Sequence, residues 1–289
     1  RHRRFSRAGC GRIRRRGNAT THKHMRICTW NINSVRSHLA HVERLLEEQR
    51  PDILCLQEIK VTNDIFPLEL FDAHGYVHHA LHGQKAYHGV AIFAKAALPL
   101  EKVRRKDWCG IEQARHVYCT LPGGVELHNF YVPAGGDKPD VEKNEKFRHK
   151  LDFMAEVTAW FKRRKRKTNR FVLVGDLNVA PLEADVWNHK QLLRVVSHTP
   201  IEVEHMAAWY ASHDWVDAVR HFVPEEEKIY SWWSYRSPNW EVADKGRRLD
   251  HIWVTPALAT GLSGVEIYKA ARGIKPASDH APVIAELEI

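Results

Sequence analysis

The segment Phe171-Val172-Leu173-Val174 is apolar without interruption, stops at Gly175, and is followed at once by Asp176-Leu177-Asn178. A short continuous apolar run rich in β-branched residues reads as a strand buried on both faces. Such a strand needs a layer packed over each side, which limits the chain to a layered fold with a large core. It also holds polar residues rigidly at its tip. If strand geometry persists, the two-residue period puts Asp176 and Asn178 on the same side. The same residue types equally suit a Gly-Asp turn, so this motif does not decide alone.

Other segments repeat the arrangement. Residues 26–33 read as a strand ending in Asn31 and Asn33. Ser37 is placed to cap a helix over 38–49, where Leu39, Val42, Leu45 and Leu46 recur at helical spacing. Residues 53–56 form a second buried strand that delivers Gln57 and Glu58 at its end. Further strands are expected near 76–79, 88–94, 116–120 and 125–132, the last two joined through the hairpin signal Leu121-Pro122-Gly123-Gly124. Helices are expected near 66–71, 143–162, 181–189 and 202–212, and strands over 248–254 and 283–289 close the chain. Strand-helix-strand units mix with antiparallel hairpins, and no repeat or soft linker divides residues 25–289. The expectation is a single α/β domain of two mixed sheets rather than one doubly wound sheet.

The chain has 289 residues and a formal charge of +9, yet residues 1–24 hold nine of the 44 Lys and Arg and no acid, which leaves 35 basic and 35 acidic side chains in the body. The body is therefore formally neutral. Residues 1–24 are expected to be a disordered basic extension, a non-native or mis-started leader, with a nucleic-acid-binding arm or an organellar targeting peptide as alternatives. They carry no apolar segment of a secretory signal, and no window of about 18 apolar residues is present to span a membrane. The five cysteines, Cys10, Cys28, Cys55, Cys109 and Cys119, include no Cys-x-x-Cys pair. With Cys28 and Cys55 inside apolar strands, they read as reduced thiols of a cytoplasmic, bacterial-type protein.

Polar residues gather where strands meet loops: Asn31 and Asn33, Glu58, Tyr131, Asp176 and Asn178, Asp250, and Asp279 with His280. Each alone is an ordinary turn or cap residue, but together they suit one chemistry. Glu58 is a hard oxygen ligand of the kind Mg²⁺ takes, since that ion keeps several waters and uses one or two carboxylates. Asn31 and Asn178 can donate to phosphate oxygens or orient a water, and Tyr131 can donate to a phosphate or a leaving oxygen. His280 can polarise a phosphoryl oxygen, and a carboxylate beside it would fix its tautomer. Neither a Gly-x-Ser-x-Gly nucleophile nor a Gly-Lys-Ser/Thr phosphate loop is present. Metal-assisted hydrolysis of a phosphodiester is the class that remains.

Thr29-Trp30-Asn31-Ile32-Asn33, Leu56-Gln57-Glu58-Ile59-Lys60, Asn129-Phe130-Tyr131-Val132-Pro133, Gly175-Asp176-Leu177-Asn178, Arg248-Leu249-Asp250 and Ser278-Asp279-His280 follow one another in this order. Through them the whole of residues 25–289 resembles the exonuclease III family of apurinic/apyrimidinic endonucleases, within the endonuclease/exonuclease/phosphatase superfamily. Ser231-Trp232-Trp233-Ser234-Tyr235-Arg236 resembles the DNA-repair branch. The resemblance implies a DNase I-like, four-layer α/β sandwich, with two mixed β-sheets packed face to face, helices outside and the site at one edge. It implies that Glu58 ligates Mg²⁺, with Mn²⁺ as a substitute, and that Asn31, Asp279, Asp176 and Asn178 lie in or near the metal shell. By the same resemblance Asp176 positions or activates the attacking water with Asn178 in support, and Asp250 orients His280, which binds the scissile phosphate. Tyr131 contacts that phosphate or aids the leaving group. Asn33, Lys60, Trp232, Arg236 and Arg247 would contact DNA, with Trp232 and Trp233 walling a sugar pocket and Arg248 and the basic run 162–167 adding backbone contacts. The implied substrate is double-stranded DNA with an abasic site, cut on its 5′ side, or with a damaged 3′ end, and the implied enzyme is a monomer.

Two positions depart from the family pattern. Ala134 stands where an amide side chain often follows the Tyr-Val-Pro run, and Arg247 stands where a bulky apolar side chain often lines the pocket. The competing readings are a phosphatase of the same superfamily acting on a soluble or lipid phosphate, and a catalytically idle DNA-binding protein. A neutral body must concentrate its basic residues locally to hold DNA. Removal of residues 1–24 is therefore expected to leave DNA affinity and its salt dependence unchanged in an anisotropy titration. Loss of binding would make the leader the electrostatic footprint.

Overall fold

The computed structural model describes residues 24–237 and 239–289. In chain order its strands are β1 (His24–Asn31), β2 (Ile53–Gln57), β3 (His78–His82), β4 (Val90–Ala94), β5 (Glu101–Arg105), β6 (His116–Leu121), β7 (Val125–Tyr131), β8 (Phe171–Asp176), β9 (Val216–Asp217), β10 (Trp232–Trp233), β11 (Gly246–Arg247), β12 (Asp250–Val254), β13 (Leu262–Ile267) and β14 (Val283–Glu288). The helices that cover them include α1 (Leu39–Glu48), α2 (Leu68–Ala73), α3 (Glu145–Arg164), α4 (His189–Leu192), α5 (Pro200–Ala211) and α6 (Ala218–Phe222). Two six-stranded sheets form, ordered β13-β14-β1-β2-β4-β3 and β5-β6-β7-β8-β12-β9, with β10 and β11 as a separate hairpin.

The alternation of side chains makes the layers. Ile27, Ile53, Cys55 and Ile92 of the first sheet pack against Val117, Leu127, Val172, Val174 and Ile252 of the second. From the same strands Cys28, Trp30, Leu54 and Phe93 point outward and pack with Val42, Leu45 and Phe71 of α1 and α2. On the far side Phe130, Leu173 and Trp253 meet Phe153, Val157, Phe161 and Trp209 of α3 and α5. The result is the four-layer α/β sandwich with helices outside. Cys28, Cys55 and Cys119 are buried free thiols in it. No helix among the described residues is long and apolar enough to cross a membrane.

A buried amide cluster crosses the interface between the two sheets. Asn129 on β7 donates to Leu56 O and Ala91 O at 3.0 and 2.9 Å, and accepts from Gln57 Nε2 at 2.7 Å. Gln57 also donates to Thr29 Oγ1 at 2.9 Å. Buried amides need such partners, and here they tie the two sheets together beside the strand tips.

Several local expectations differ. Ser37 does not cap α1: His38 occupies the cap without a side-chain hydrogen bond, and Ser37 Oγ lies 3.0 Å from Ser34 Oγ instead. Residues 181–188 hold only a 3₁₀ turn at Glu183–Asp185, where Asp185 turns inward to the guanidinium of Arg248, and helix begins only at His189. Strands β5 and β13 give little sequence signal. The five residues of β5 are all exposed, and β13 is interrupted by a bulge between Leu262 and Gly264.

Arg248, placed by its sequence context among the DNA contacts, is 1% exposed and belongs to the scaffold. Its Nε and Nη2 donate to the two oxygens of Asp185 at 2.7 and 2.9 Å, and Nη1 donates to Asp217 Oδ2 at 2.7 Å. Burial alone would raise both carboxyl groups, but Arg248 overrides it and holds each below the ordinary carboxylate range. A carboxyl group lowered in the folded state contributes stability above its unfolded pKa near 4 and loses it as pH falls through the folded value. Stability should therefore drop in acid, below about pH 4. Arg248→Met removes the cation shared by two buried carboxylates, leaving Asp185 with Arg220 alone and Asp217 without an arginine, and should cost about 3–5 kcal/mol at neutral pH in urea melts, with a flatter acid dependence than the parent.

Candidate active site

Strand direction brings the polar residues to one edge. β1 runs parallel to β2, so Asn31 and Gln57 are partners at their C-terminal ends, and β7 runs parallel to β8, so Tyr131 and Asp176 are partners. β12 and β14 run the opposite way. Asp250 begins β12 directly across from Asp176, and the loop of Asp279 and His280 leads into β14. Residues that end some strands and precede others thus meet.

Three of them, Asp250, His280 and Asp176, form a line joined by a hydrogen bond and an ion pair. Ser231 Oγ donates to Asp250 Oδ2 at 2.6 Å, His280 Nδ1 lies 2.8 Å from the same oxygen, and His280 Nε2 lies 3.7 Å from Asp176 Oδ2. Asp250 therefore fixes which ring nitrogen of His280 faces Asp176. Asp176 is held from its other sides by Asn31 Nδ2 at 2.8 Å, by the backbone N–H of Asn178 at 3.0 Å and by Asn178 Nδ2 at 3.2 Å. Asn178 does not continue the strand: at φ 53° the chain turns back, and Nδ2 also donates to Val132 O at 2.9 Å. A side-chain-to-backbone turn, rather than strand alternation, puts Asn178 beside Asp176. Burial pushes the Asp176 carboxyl up, the charge of His280 draws it back, and Asp250 adds to the rise. Burial would discharge His280, but Asp250 and then Asp176 outweigh it and hold the imidazolium. Asp176, Asp250 and His280 bring potential ligand atoms within 4.8 Å of one another, but as an imidazolium His280 offers no lone pair to a metal ion.

Glu58 is the second centre. Asn31 Nδ2 donates to its Oε1 at 2.9 Å, the Tyr131 hydroxyl donates to Oε1 at 2.8 Å, and Lys60 Nζ lies 2.8 Å from Oε2. Burial opposes ionisation of Glu58, yet Lys60, Asn31 and Tyr131 together lower it, so it stays a carboxylate. Burial and the Glu58 and Asp176 charges push the Tyr131 phenol well above its ordinary value, which keeps it a donor. Lys60 Nζ also binds Asn33 Oδ1, and Asn33 Nδ2 donates to the Tyr235 hydroxyl at 3.1 Å. Asn33, Glu58 and Lys60 all sit at positive φ, between 48° and 53°, and Asn33 and Glu58 lie beyond their strands rather than in them. Backbone hydrogen bonds hold this strained loop pair, among them Ser34 N to Glu58 O at 2.7 Å and Lys60 N to His88 O at 3.0 Å.

A cavity of about 850 Å³ opens on these groups and is lined by Glu58, Tyr131, Asp176, Asn178, Asp279 and His280. Trp232, Arg236 and Arg247 continue its wall. Trp232 Nε1 donates to Asp279 Oδ2 at 2.8 Å, and its ring lies 5.1 Å from the Arg247 guanidinium. Trp233 is a core residue, 1% exposed and packed with Tyr230 and Ala281. The basic run 162–167 is at the wrong end. Arg164 pairs with Glu126 at 2.7 Å, and Glu126 is paired with Phe171 at the start of β7 and β8, about 17 Å along the strands from Tyr131 and Asp176.

The comparisons with known proteins agree with this geometry. The sequence matches the Endonuclease/Exonuclease/phosphatase family over residues 28–280. The chain belongs to that family. It is 31% identical to exodeoxyribonuclease III of Haemophilus influenzae, over 91% of this chain and all of that protein. Two solved structures superpose with a TM-score of 0.83: the 3′ phosphatase NExo from Neisseria bound to product DNA hairpin, 31% identical over 92% of this chain and all of that one, and an AP endonuclease from Archaeoglobus fulgidus, 30% identical over 90% and 98%. These relatives put the chain on the exonuclease III branch of the family, among phosphodiester-cleaving enzymes.

Two parts of this endonuclease/exonuclease/phosphatase domain left no motif in the sequence. Arg115 lies under Tyr131, its guanidinium 4.9 Å from the ring and Nη1 3.3 Å from Tyr131 O. Burial and Arg115 draw the adjacent His88 down to about 4, so it is neutral and can accept from Arg115 Nη2 at 3.4 Å. Lys150 of α3 is fully buried and binds Glu202 of α5, the Asn178 carbonyl at 2.7 Å and the Ala134 carbonyl at 3.4 Å. Glu202 in turn accepts from Ser197 N and Thr199 Oγ1 at 2.9 and 2.7 Å. One ion pair thus pins the two loops that carry Ala134 and Asn178. The only sequence signal was a lysine on the apolar stripe of α3. Lys150→Met leaves Glu202 buried and unpaired and should cost about 3–5 kcal/mol in thermal or urea unfolding.

Proposed function

We propose that the enzyme hydrolyses the phosphodiester on the 5′ side of abasic sites in double-stranded DNA, with Mg²⁺ as its cofactor, and also acts at damaged 3′ ends. The observation that carries the reading is the Ser231–Asp250–His280–Asp176 line, which ends at a cavity whose other wall is Tyr131 and Glu58. His280 as an imidazolium would bind a non-bridging oxygen of the phosphate, with Asp250 holding its orientation. Asp176, carrying bonds from Asn31 and Asn178, would align the attacking water and take its proton. Tyr131 would donate to the phosphate or to the leaving 3′ oxygen.

The donor set fits a hard divalent ion. Glu58 and Asp279 are carboxylates on the cavity wall, few enough for an ion that keeps its waters, and Lys60 now partners Glu58 as a cation would. Glu58, Asn31 and Asp279, with Asp176 and Asn178 beside them, are the residues that would hold it. When bound, Mg²⁺ supplies positive charge to the phosphate and the departing oxygen. Asn33, Lys60, Trp232, Arg236 and Arg247 would contact DNA around the flipped abasic sugar, which has no base to unstack. A monomer meets these needs, since every residue named comes from one chain.

The test compares a labelled abasic duplex, intact and nicked duplexes and inositol phosphates, each with Mg²⁺ and with chelator. Incision 5′ to the abasic site, lost in chelator, is expected; release of phosphate from inositol phosphates without incision would refute the reading. Asp176→Asn should lower turnover roughly 10²- to 10⁴-fold with DNA binding preserved. Glu58→Ala should raise the Mg²⁺ concentration needed for half-maximal rate, and an unchanged metal titration would remove Glu58 from the metal shell.

A further inference from the structure

Beyond the catalytic groups, the cavity is walled by Trp187, Trp232 and Leu249 and by three cations, Arg236, Lys245 and Arg247. Arg247 is cross-strand partner to Trp232 in the β10–β11 hairpin, and its guanidinium lies 5.1 Å from the indole. Two positions earlier, Lys245 Nζ lies 4.8 Å from the Trp187 ring. The hydrogen bonds of Arg247 are one-sided. Nη1 donates to Val196 O at 3.0 Å and to Ser197 Oγ at 2.8 Å, while Nε is buried with no partner. Among the described residues no hydrogen bond engages Nη2 and no carboxylate forms an ion pair with this side chain. Glu202, the acid whose field reaches it, is already bonded to Lys150, Ser197 and Thr199.

Arg247 is therefore a half-buried cation, held beside the Trp232 ring and tethered through Nη1. Nε is buried and Nη1 already donates twice, so Nη2 is the donor left to make a charge-assisted hydrogen bond to one oxygen of an anion, a carboxylate or a phosphate. If the scissile phosphate lies at Asp176 and His280, whatever is esterified to it on its far side extends along this wall. For an internal abasic site that group is an uncharged sugar. At a blocked 3′ end it can be a short acid.

We propose that Arg247 makes this part of the cavity a receptor for an anionic substituent on the scissile phosphate, so that the enzyme favours 3′ ends blocked by a carboxylate-bearing phosphoester over internal abasic sites. This rests on the reaction assigned in the preceding subsection. The step is a hydrolysis: the oxygen of water bonds to phosphorus, the bond from phosphorus to the 3′ oxygen breaks, and that oxygen leaves as a hydroxyl after taking a proton. The phosphoglycolate departs with its carboxylate intact, and nothing is oxidised or reduced.

The experiment uses the full chain and three duplexes: a gap with a 3′-phosphoglycolate end, the same gap with the uncharged 2-hydroxyethyl phosphodiester, and an internal tetrahydrofuran abasic analogue. The parent should prefer the carboxylate to its uncharged counterpart. Arg247→Leu should lower kcat/KM on the phosphoglycolate end roughly ten- to hundredfold more than on the other two, and Arg247→Lys should recover part of the difference. Equal losses on all three duplexes would overturn the proposal, since they would mean that Arg247 only tethers Val196 and Ser197 or grips a flanking phosphate. The preference is also read without turnover, as anisotropy affinities in chelator. A parent that binds the phosphoglycolate end better than the hydroxyethyl end but cuts no duplex would refute the assigned reaction and leave this proposal standing. A parent that binds the two ends equally would refute this proposal alone.

Discussion

No side chain fits between β7 and β8 at Gly175. A Cβ built there would lie 1.9 Å from the Phe130 carbonyl oxygen, at a φ of 143° that L residues rarely adopt. The close approach lets the parallel pair run on for one more residue, so that Tyr131 and Asp176 end up side by side. Asp176 then faces Asp250 across the next strand pair, and the second sheet carries three site residues at one corner. The Asn129 and Gln57 amides join that corner to the tips of β1 and β2 in the first sheet. A glycine between strands and an amide bridge across an apolar core together set where Asn31, Glu58, Tyr131 and Asp176 stand.

That corner is electrostatically costly. Asp176 and Asp250 are 1% and 0% exposed, and two buried carboxylates repel one another and resist desolvation. His280 between them is the compensation, and the asparagines at 31 and 178 add neutral donors to Asp176 without adding charge. Glu58 is treated differently: it keeps partial contact with the cavity and takes Lys60 as its counterion. The same separation of roles appears in the scaffold, where Arg248 satisfies Asp185 and Asp217, and Lys150 satisfies Glu202. Arg247 lacks such a partner, although it is one residue from Arg248. These adjacent arginines, the last residue of β11 and the one after it, have opposite environments, one a closed ion-pair network and the other an open cavity.

Much of the candidate site could be read from the chain because it sits at strand ends, where apolar runs give way abruptly to polar residues. Phe171-Val172-Leu173-Val174 before Asp176, and Ile53-Leu54-Cys55-Leu56 before Glu58, carry that signal strongly. The supporting residues lack it. Arg115 and Lys150 are ordinary members of a strand entry and a helix, and only packing makes them partners of Tyr131 and of the Asn178 turn. Basic residues misled most, since charge runs look alike wherever they fall: 162–167 is at the far end of the strands, and Arg248 is inside.

The sequence by itself determined the layers, because two-residue and 3.6-residue periodicities depend only on which side chains avoid water. It also determined the set of reactive groups, since nothing in a core requires Glu58, Asp176 and His280 together. Only the tertiary structure decided which ends of which strands coincide, because parallel or antiparallel pairing is a long-range choice that local pattern does not encode. It likewise decided which charges are partnered: whether an arginine is buried against two aspartates or left facing a cavity depends on residues up to 63 positions away in the chain.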